Sequence, residues 1–272
     1  MKVGLSSYAF TWAVGVPGRL PHQPLGPLGL LELAQSFGAD VVQVADNLPL
    51  HRLSPSELTM FASRARELGI SVEVGTRGVE ASHLQRYVEL AIRLGSPIIR
   101  VVVAEDGRHL SAEETIWALR PQKRVFESAR VKLAIENHDK LSTRELAWMV
   151  DSLGRDWAGI CLDTANSFGA LEGPAAVVER LGPLTINVHV KDFVVRRTNH
   201  MMGFVVEGTP AGQGQLDIPW LVASLGGPDR ELSAIIELWT PPEDTLEDTI
   251  AKERQWAGMS VTYLKELLST RR

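Results

Sequence analysis

Eight short apolar runs recur along this chain, and the stretches between them carry helical patterns. The runs cover residues 2–7, 40–45, 71–75, 98–103, 131–136, 158–163, 185–189 and 233–237. Runs this short, branched and continuously apolar read as strands buried on both faces. The intervening helices announce their ends. Ser54-Pro55 with Glu57 gives a cap, a first-turn proline and an acidic first turn, and Ser111 with Glu114 and Ser142 with Glu145 have capping-box spacing. Ser82 is expected to open LQRYVELAIRLG, whose apolar positions recur every three or four residues, and Gly95 with Pro97 stops it. Eight such units without a break predict an α/β chain forming a single closed (β/α)8 barrel over residues 1–272. A doubly wound open sheet is the competing arrangement, but no G-x-G-x-x-G follows the first run.

At 272 residues, 44% of them hydrophobic, the chain exceeds the usual single core unless the domain is a barrel. No Gly/Ser-rich or charged linker divides it. A net charge of -5 without a basic patch argues against nucleic acid as a partner. Cys161 is the only cysteine, which rules out an intrachain disulfide and is consistent with a reducing cytoplasm. Residues 2–7 enter a strand at once with no signal-peptide core, and no apolar stretch approaches the roughly 18–20 residues of a membrane span.

Four of the runs end on ionisable side chains. Glu136 follows VKLAI, Asp163 follows AGICL, His189 follows TINV and Glu237 follows SAII. A charge at the last turn of a buried strand is costly unless something pairs with it. Singly, each reads as a helix cap or a loop salt bridge. Four at equivalent positions on consecutive units read as ligands of one divalent cation. In a closed barrel, strand ends ring one mouth and these side chains converge; in an open sheet they spread apart. Oxygen donors plus one imidazole suit Mn, Mg, Co or Zn, and manganese is the first expectation.

The same segments carry a resemblance. IENHD (135–139), CLDTAN (161–166), NVHVKD (187–192), PAGQGQLD (210–217) and IIELW (235–239) resemble the xylose isomerase-like TIM barrel superfamily, along nearly the whole chain. That superfamily holds sugar isomerases, epimerases and the endonuclease IV nucleases. The resemblance implies that Glu136, Asp163, His189 and Glu237 bind one metal, and that Glu136 and Glu237 double as acid and base across an enediolate. One position departs from it. Many such epimerases carry a histidine three residues after the aspartate, where this chain has Asn166. An amide hydrogen-bonds a substrate hydroxyl but cannot relay a proton. The additional histidines of the nuclease branch are missing as well. GFVVEGTPAGQGQLD followed by IIELW is similar, more narrowly, to the 3-oxo-isoapionate decarboxylases.

By strand alternation His138 shares a face with Glu136, and Lys191 with His189. His138 reads as a substrate hydrogen-bonder or proton shuttle, or equally as a group that orients Glu136. Lys191 reads as an anchor for a carboxylate or oxyanion, or as half of a salt bridge with Asp192 or a neighbouring strand end. Asn166, Gln43, Trp239 and Arg197 are the expected substrate contacts, with Trp12 beside Trp239 on the pocket floor. Arg100 is expected as a buried ion-pair partner of Glu73. The connection 193–215 is long and reads as a cover with Gly212 and Gly214 as hinges. Its Met201, Met202 and Phe204 are expected to face the site, the barrel rim or a neighbouring subunit of a homo-oligomer. Asp217 is expected to cap the helix that follows.

The first expectation for activity is a metal-dependent isomerase or epimerase of a small sugar or sugar acid. Decarboxylation of a β-keto sugar acid comes second: it breaks no C–H bond, so Asn166 is tolerated. A nuclease and a non-catalytic binding barrel rank behind both.

Overall fold

A computed structural model describes residues 1–103 and 109–269. The strands are β1 (Lys2–Ser6), β2 (Val41–Val44), β3 (Ser71–Arg77), β4 (Ile98–Val102), β5 (Lys132–Glu136), β6 (Ala158–Asp163), β7 (Thr185–Val190), β8 (Asp192–Arg197), β9 (Phe204–Thr209) and β10 (Ser233–Ile236). The helices are α1 (Thr11–Val14), α2 (Pro27–Phe37), α3 (Pro55–Glu67), α4 (Ala81–Leu94), α5 (Ala112–Leu119), α6 (Lys123–Ala129), α7 (Thr143–Leu153), α8 (Pro174–Leu181), α9 (Ile218–Ser224) and α10 (Leu246–Ser269). Strands β1 to β7 pair in sequence order, and β10 closes the ring between β7 and β1, all in parallel. Closure excludes the open sheet. No helix among the described residues is long and apolar enough to cross a membrane.

The main apolar core lies between this barrel and its helices, where Leu5, Val42, Val74, Ile99, Leu133, Ile160 and Leu162 meet Leu84, Leu146 and Val150. A smaller cluster of Ile98, Ala134 and Cys161 is separate. These three share strand parity with Arg100, Glu136 and Asp163. On β4, β5 and β6 the barrel interior therefore passes from apolar to charged within one side-chain step.

The capping boxes at Ser54, Ser111 and Ser142 form as expected. Helix α4 differs. Its cap is Glu80, whose carboxylate accepts from the backbone N–H groups of Ser82 and His83, so Ser82 lies inside the first turn. An anion at a helix N-terminus is favoured by the same orphan amides that a hydroxyl would serve. Gly95 ends α4 in the left-handed region at φ 69°.

The segment 193–215, expected as a mobile cover, is mostly an antiparallel hairpin of β8 and β9. One residue, Lys191, separates β7 from it. The Asp192 carboxylate ties its base, accepting from the backbone N–H groups of Phe193, Gly212, Gly214 and Leu216 at 2.8–3.1 Å. Gly212 and Gly214 are pinned and do not act as hinges. A Cβ on Gly214 would lie 2.1 Å from Asp192 Oδ1, and one on Gly212 would lie 2.4 Å from the Tyr263 ring. The hairpin tip leaves Met201, Met202 and Phe204 exposed. Asp217 caps α9 by accepting from Trp220 N–H.

Candidate metal centre at the barrel mouth

Glu136, Asp163 and His189 lie at the C-terminal ends of β5, β6 and β7, and Glu237 directly follows β10. All four are buried, and one donor atom from each falls within 4.8 Å of the others. His189 Nδ1 stands 3.3 Å from Glu237 Oε1 and 3.7 Å from both Glu136 Oε1 and Asp163 Oδ2. Cys161 lies near Glu136 and His189 too. Burial pushes its thiol up to about 11, and Sγ donates to Asn187 Oδ1, so it stays a protonated thiol.

The donor set fits a divalent cation on its own chemistry. His189 Nε2 faces the amide oxygen of Gln43 at 2.7 Å, which calls for a proton on Nε2. Among the described residues Nδ1 has no hydrogen-bond partner, yet it points among three carboxylates. A lone pair aimed at anionic oxygens is repulsive until a proton or a cation sits between them. Burial alone lowers the pKa of His189, but the carboxylates of Glu237 and Glu136 outweigh it and hold the group well above its ordinary value. A divalent ion placed there would take the proton's place.

Lys191 enters the same cluster. Its Nζ lies 2.9 Å from Asp163 Oδ2, 3.1 Å from Glu237 Oε2 and 3.2 Å from Asn166 Oδ1, and 4.9 Å from the centre of the Trp239 ring. Burial works against its charge, but Asp163 and Glu237 more than compensate and keep it protonated. Reciprocally, burial raises the Asp163 and Glu237 carboxyls while His189 and Lys191 bring both below the ordinary range. Of the two salt-bridge partners expected, Asp192 is not used, because that carboxylate is spent on the hairpin base, and the neighbouring strand ends are, through Asp163 and Glu237.

Arg100 reaches Glu136, not Glu73. Its Nε pairs with Glu136 Oε2 and its Nη1 donates to Asp46 Oδ1 at 2.7 Å. Gly75 stands level with Arg100 on the neighbouring strand, and a Cβ there would lie 3.3 Å from Arg100 Cδ. The missing side chain gives the arginine room inside the barrel. Asp46 also accepts from Tyr8 Oη and Arg77 Nε, each at 3.1 Å.

Two of the expected substrate contacts serve neighbouring protein groups. Asn166 Nδ2 donates to Glu136 Oε1 at 2.8 Å while its oxygen meets Lys191, so it bridges the two. Both ends of the Gln43 amide are engaged, with His189 on one side and Glu73 and Asn187 on the other. Trp239 stays at the mouth, 39% exposed as a residue, with its ring beside Lys191. Trp12 donates its indole N–H to Thr240 O, and so braces that strand end. Arg197 lies on the hairpin, over the Phe204 ring and bonded to Met201 O. His138 lies beyond the end of β5, so strand alternation no longer directs it; its Nδ1 bonds Asp139 at 2.7 Å. Ser6 and Asp46 escaped the sequence reading. Both sit at the ends of the first two runs; the rule that found Glu136 would have found Asp46, whereas Ser6 carries no charge and gives that rule no signal.

A family model described as xylose isomerase-like TIM barrel matches residues 31–258. The 3-oxo-isoapionate decarboxylase of Pectobacterium atrosepticum is 35% identical over 264 residues, covering 97% of this chain and 95% of that protein. The structure of D-psicose 3-epimerase from Clostridium cellulolyticum H10 superposes with a TM-score of 0.73 at 13% identity, over 98% of this chain and 99% of that one. The IOLI protein, crystallised with a bound zinc atom, superposes at 0.67 with 18% identity, over 97% and 99% of the two chains.

Proposed function

The chain belongs to the xylose isomerase-like TIM barrel family, and from that premise we propose that it is a divalent-metal-dependent decarboxylase acting on a β-keto sugar acid of the 3-oxo-isoapionate kind. One observation carries the choice: both glutamates that an epimerase would use as bases are already held by donors. Glu136 has Asn166 on Oε1 and Arg100 on Oε2. Glu237 has Ser6 on Oε1, at 2.9 Å, and Lys191 on Oε2. Oxygens already occupied by a donor or a cation are poorly placed to take a proton from carbon. The 35% identity to a decarboxylase supports the same reading. We therefore place decarboxylase before epimerase, the opposite of the order read from the sequence.

Loss of CO2 asks something different of the site. The C–C bond to the carboxylate breaks, its electron pair moves onto the adjacent ketone, and the resulting enolate takes a proton at carbon. Glu136, Asp163, His189 and Glu237 would hold the ion, which when bound supplies Lewis acidity toward the keto oxygen. Manganese remains the first expectation, with magnesium, cobalt and zinc as the alternatives. Lys191 stays cationic beside that position and favours the negative charge that develops there. Trp239 and Lys191 together offer an apolar wall and a charge to a small polar acid. The partner is thus a small molecule, and a lone buried thiol suits a reducing cytoplasm.

The test is turnover of a β-keto sugar acid by metal-loaded protein in deuterated water. We expect one CO2 per product, one solvent deuteron at the carbon that carried the carboxylate, loss of turnover on chelation, and recovery with manganese. Solvent deuterium entering a ketose without CO2 release would establish the epimerase reading in its place.

A further inference from the structure

Beneath the carboxylates lie buried polar side chains that the proposed reaction does not use: Gln43, Glu73 and Asn187. Their hydrogen bonds have directions that can be assigned in turn. Asn187 Nδ2 lies 3.5 Å from the backbone oxygen of Ser233 and 2.9 Å from Glu73 Oε2. A backbone carbonyl only accepts, so the amide nitrogen belongs on that side. Asn187 Oδ1 then accepts from Gln43 Nε2 at 3.1 Å and from Cys161 Sγ at 3.2 Å. Gln43 Nε2 also donates to Glu73 Oε2 at 3.0 Å. Only the oxygen of Gln43 remains to face His189 Nε2.

We propose that Gln43, oriented by Glu73 and Asn187, is a positioning residue that holds His189 in the Nε2–H tautomer and so presents Nδ1 to the cation. The inference rests on the metal-centre reading above. Among the described residues Glu73 makes no salt bridge, and its hydrogen bonds go to neutral groups. Burial raises its pKa. Its Oε2 accepts from both amides, and so fixes the orientation of each. The arrangement reaches from β10 through β7 and β3 to β2 and back to β7, so four strands contribute to one imidazole.

The test measures Co(II) affinity of the full chain by calorimetry, beside the thermal midpoint of the metal-free protein. Gln43→Met removes the acceptor, and we expect affinity to fall about 10–100-fold. Glu73→Gln keeps an acceptor oxygen for both amides and should stay within about threefold of wild type, whereas Glu73→Met should weaken binding with Gln43→Met. Loss of packing alone would lower the metal-free midpoint and would leave the tautomer unaffected. Long-range proton–nitrogen spectra of the zinc-loaded wild type read that tautomer directly, with the His189 proton expected on Nε2. If Gln43→Met does not fold, the contrast between Glu73→Met and Glu73→Gln decides. Wild-type affinity in Gln43→Met or Glu73→Met, or a His189 proton on Nδ1, overturns the proposal. Failure of the wild type to bind Co(II) is a different outcome, and overturns the centre itself.

Discussion

A lysine wedged between two carboxylates, with an imidazole lone pair alongside, neutralises charge that would otherwise be buried unpaired. It also competes for the oxygens that a metal would use. Lys191→Met should therefore separate two quantities that usually fall together. Turnover should drop about 10²–10³-fold, the scale for loss of one electrostatic stabiliser. Manganese affinity, measured by calorimetry, should be unchanged or tighter, since a rival cation has been removed. Weaker manganese binding with turnover per loaded site intact would show that Lys191 shapes the centre and takes no part in the chemistry. Asn166 belongs to the same balance: it is neutral, and it bridges Glu136 and Lys191 without adding charge to either.

Among the elements, the hairpin β8–β9 depends on one carboxylate. Asp192→Ala leaves four backbone donors without their acceptor and should cost about 2–4 kcal/mol. Hydrogen exchange should accelerate across 192–216 while the barrel strands stay protected; uniform acceleration would place Asp192 in the global fold instead. This is also the element least legible in the sequence. β8 passes from buried at Asp192 and Phe193 to exposed at Arg196 and Arg197, and in β9 Gly208 alone is buried, so no clean alternation of buried and exposed positions marks them. The barrel strands were legible because both faces are buried, and their terminal ligands because a charge there is anomalous. The partners of Arg100 and Gln43 were not. They depend on which residues stand level across strands, as Gly75 does with Arg100, and register is a property of the closed sheet.

For the whole molecule, closure brings distant parts of the chain into contact. Glu253 on α10 accepts from the backbone N–H groups of Trp12 and Ala13 at 2.9 and 3.0 Å, 241 and 240 residues away. Burial raises its carboxyl to about 7 from 4.5, against the pull of those N–H groups. Between those values the folded chain keeps a proton that the unfolded chain has lost. Stability from this group is thus greatest below about pH 4.5 and declines as pH rises to 7, by about 3 kcal/mol. Urea unfolding in chelator at pH 5 and pH 8 should show a shallower decline for Glu253→Gln than for wild type; equal declines would remove Glu253 as the cause. The single residue between β7 and the hairpin has a mechanical consequence as well. Thr164 Oγ1 accepts from Lys191 N at 2.9 Å and donates to Lys191 O at 2.8 Å, so the backbone on which this side chain stands is bracketed from β6. A swing of the hairpin about its base would have to drag that backbone out of its bracket and pull the ammonium off Asp163. The base therefore behaves as a fixed post, and bending at the exposed tip leaves the Lys191 ammonium at rest.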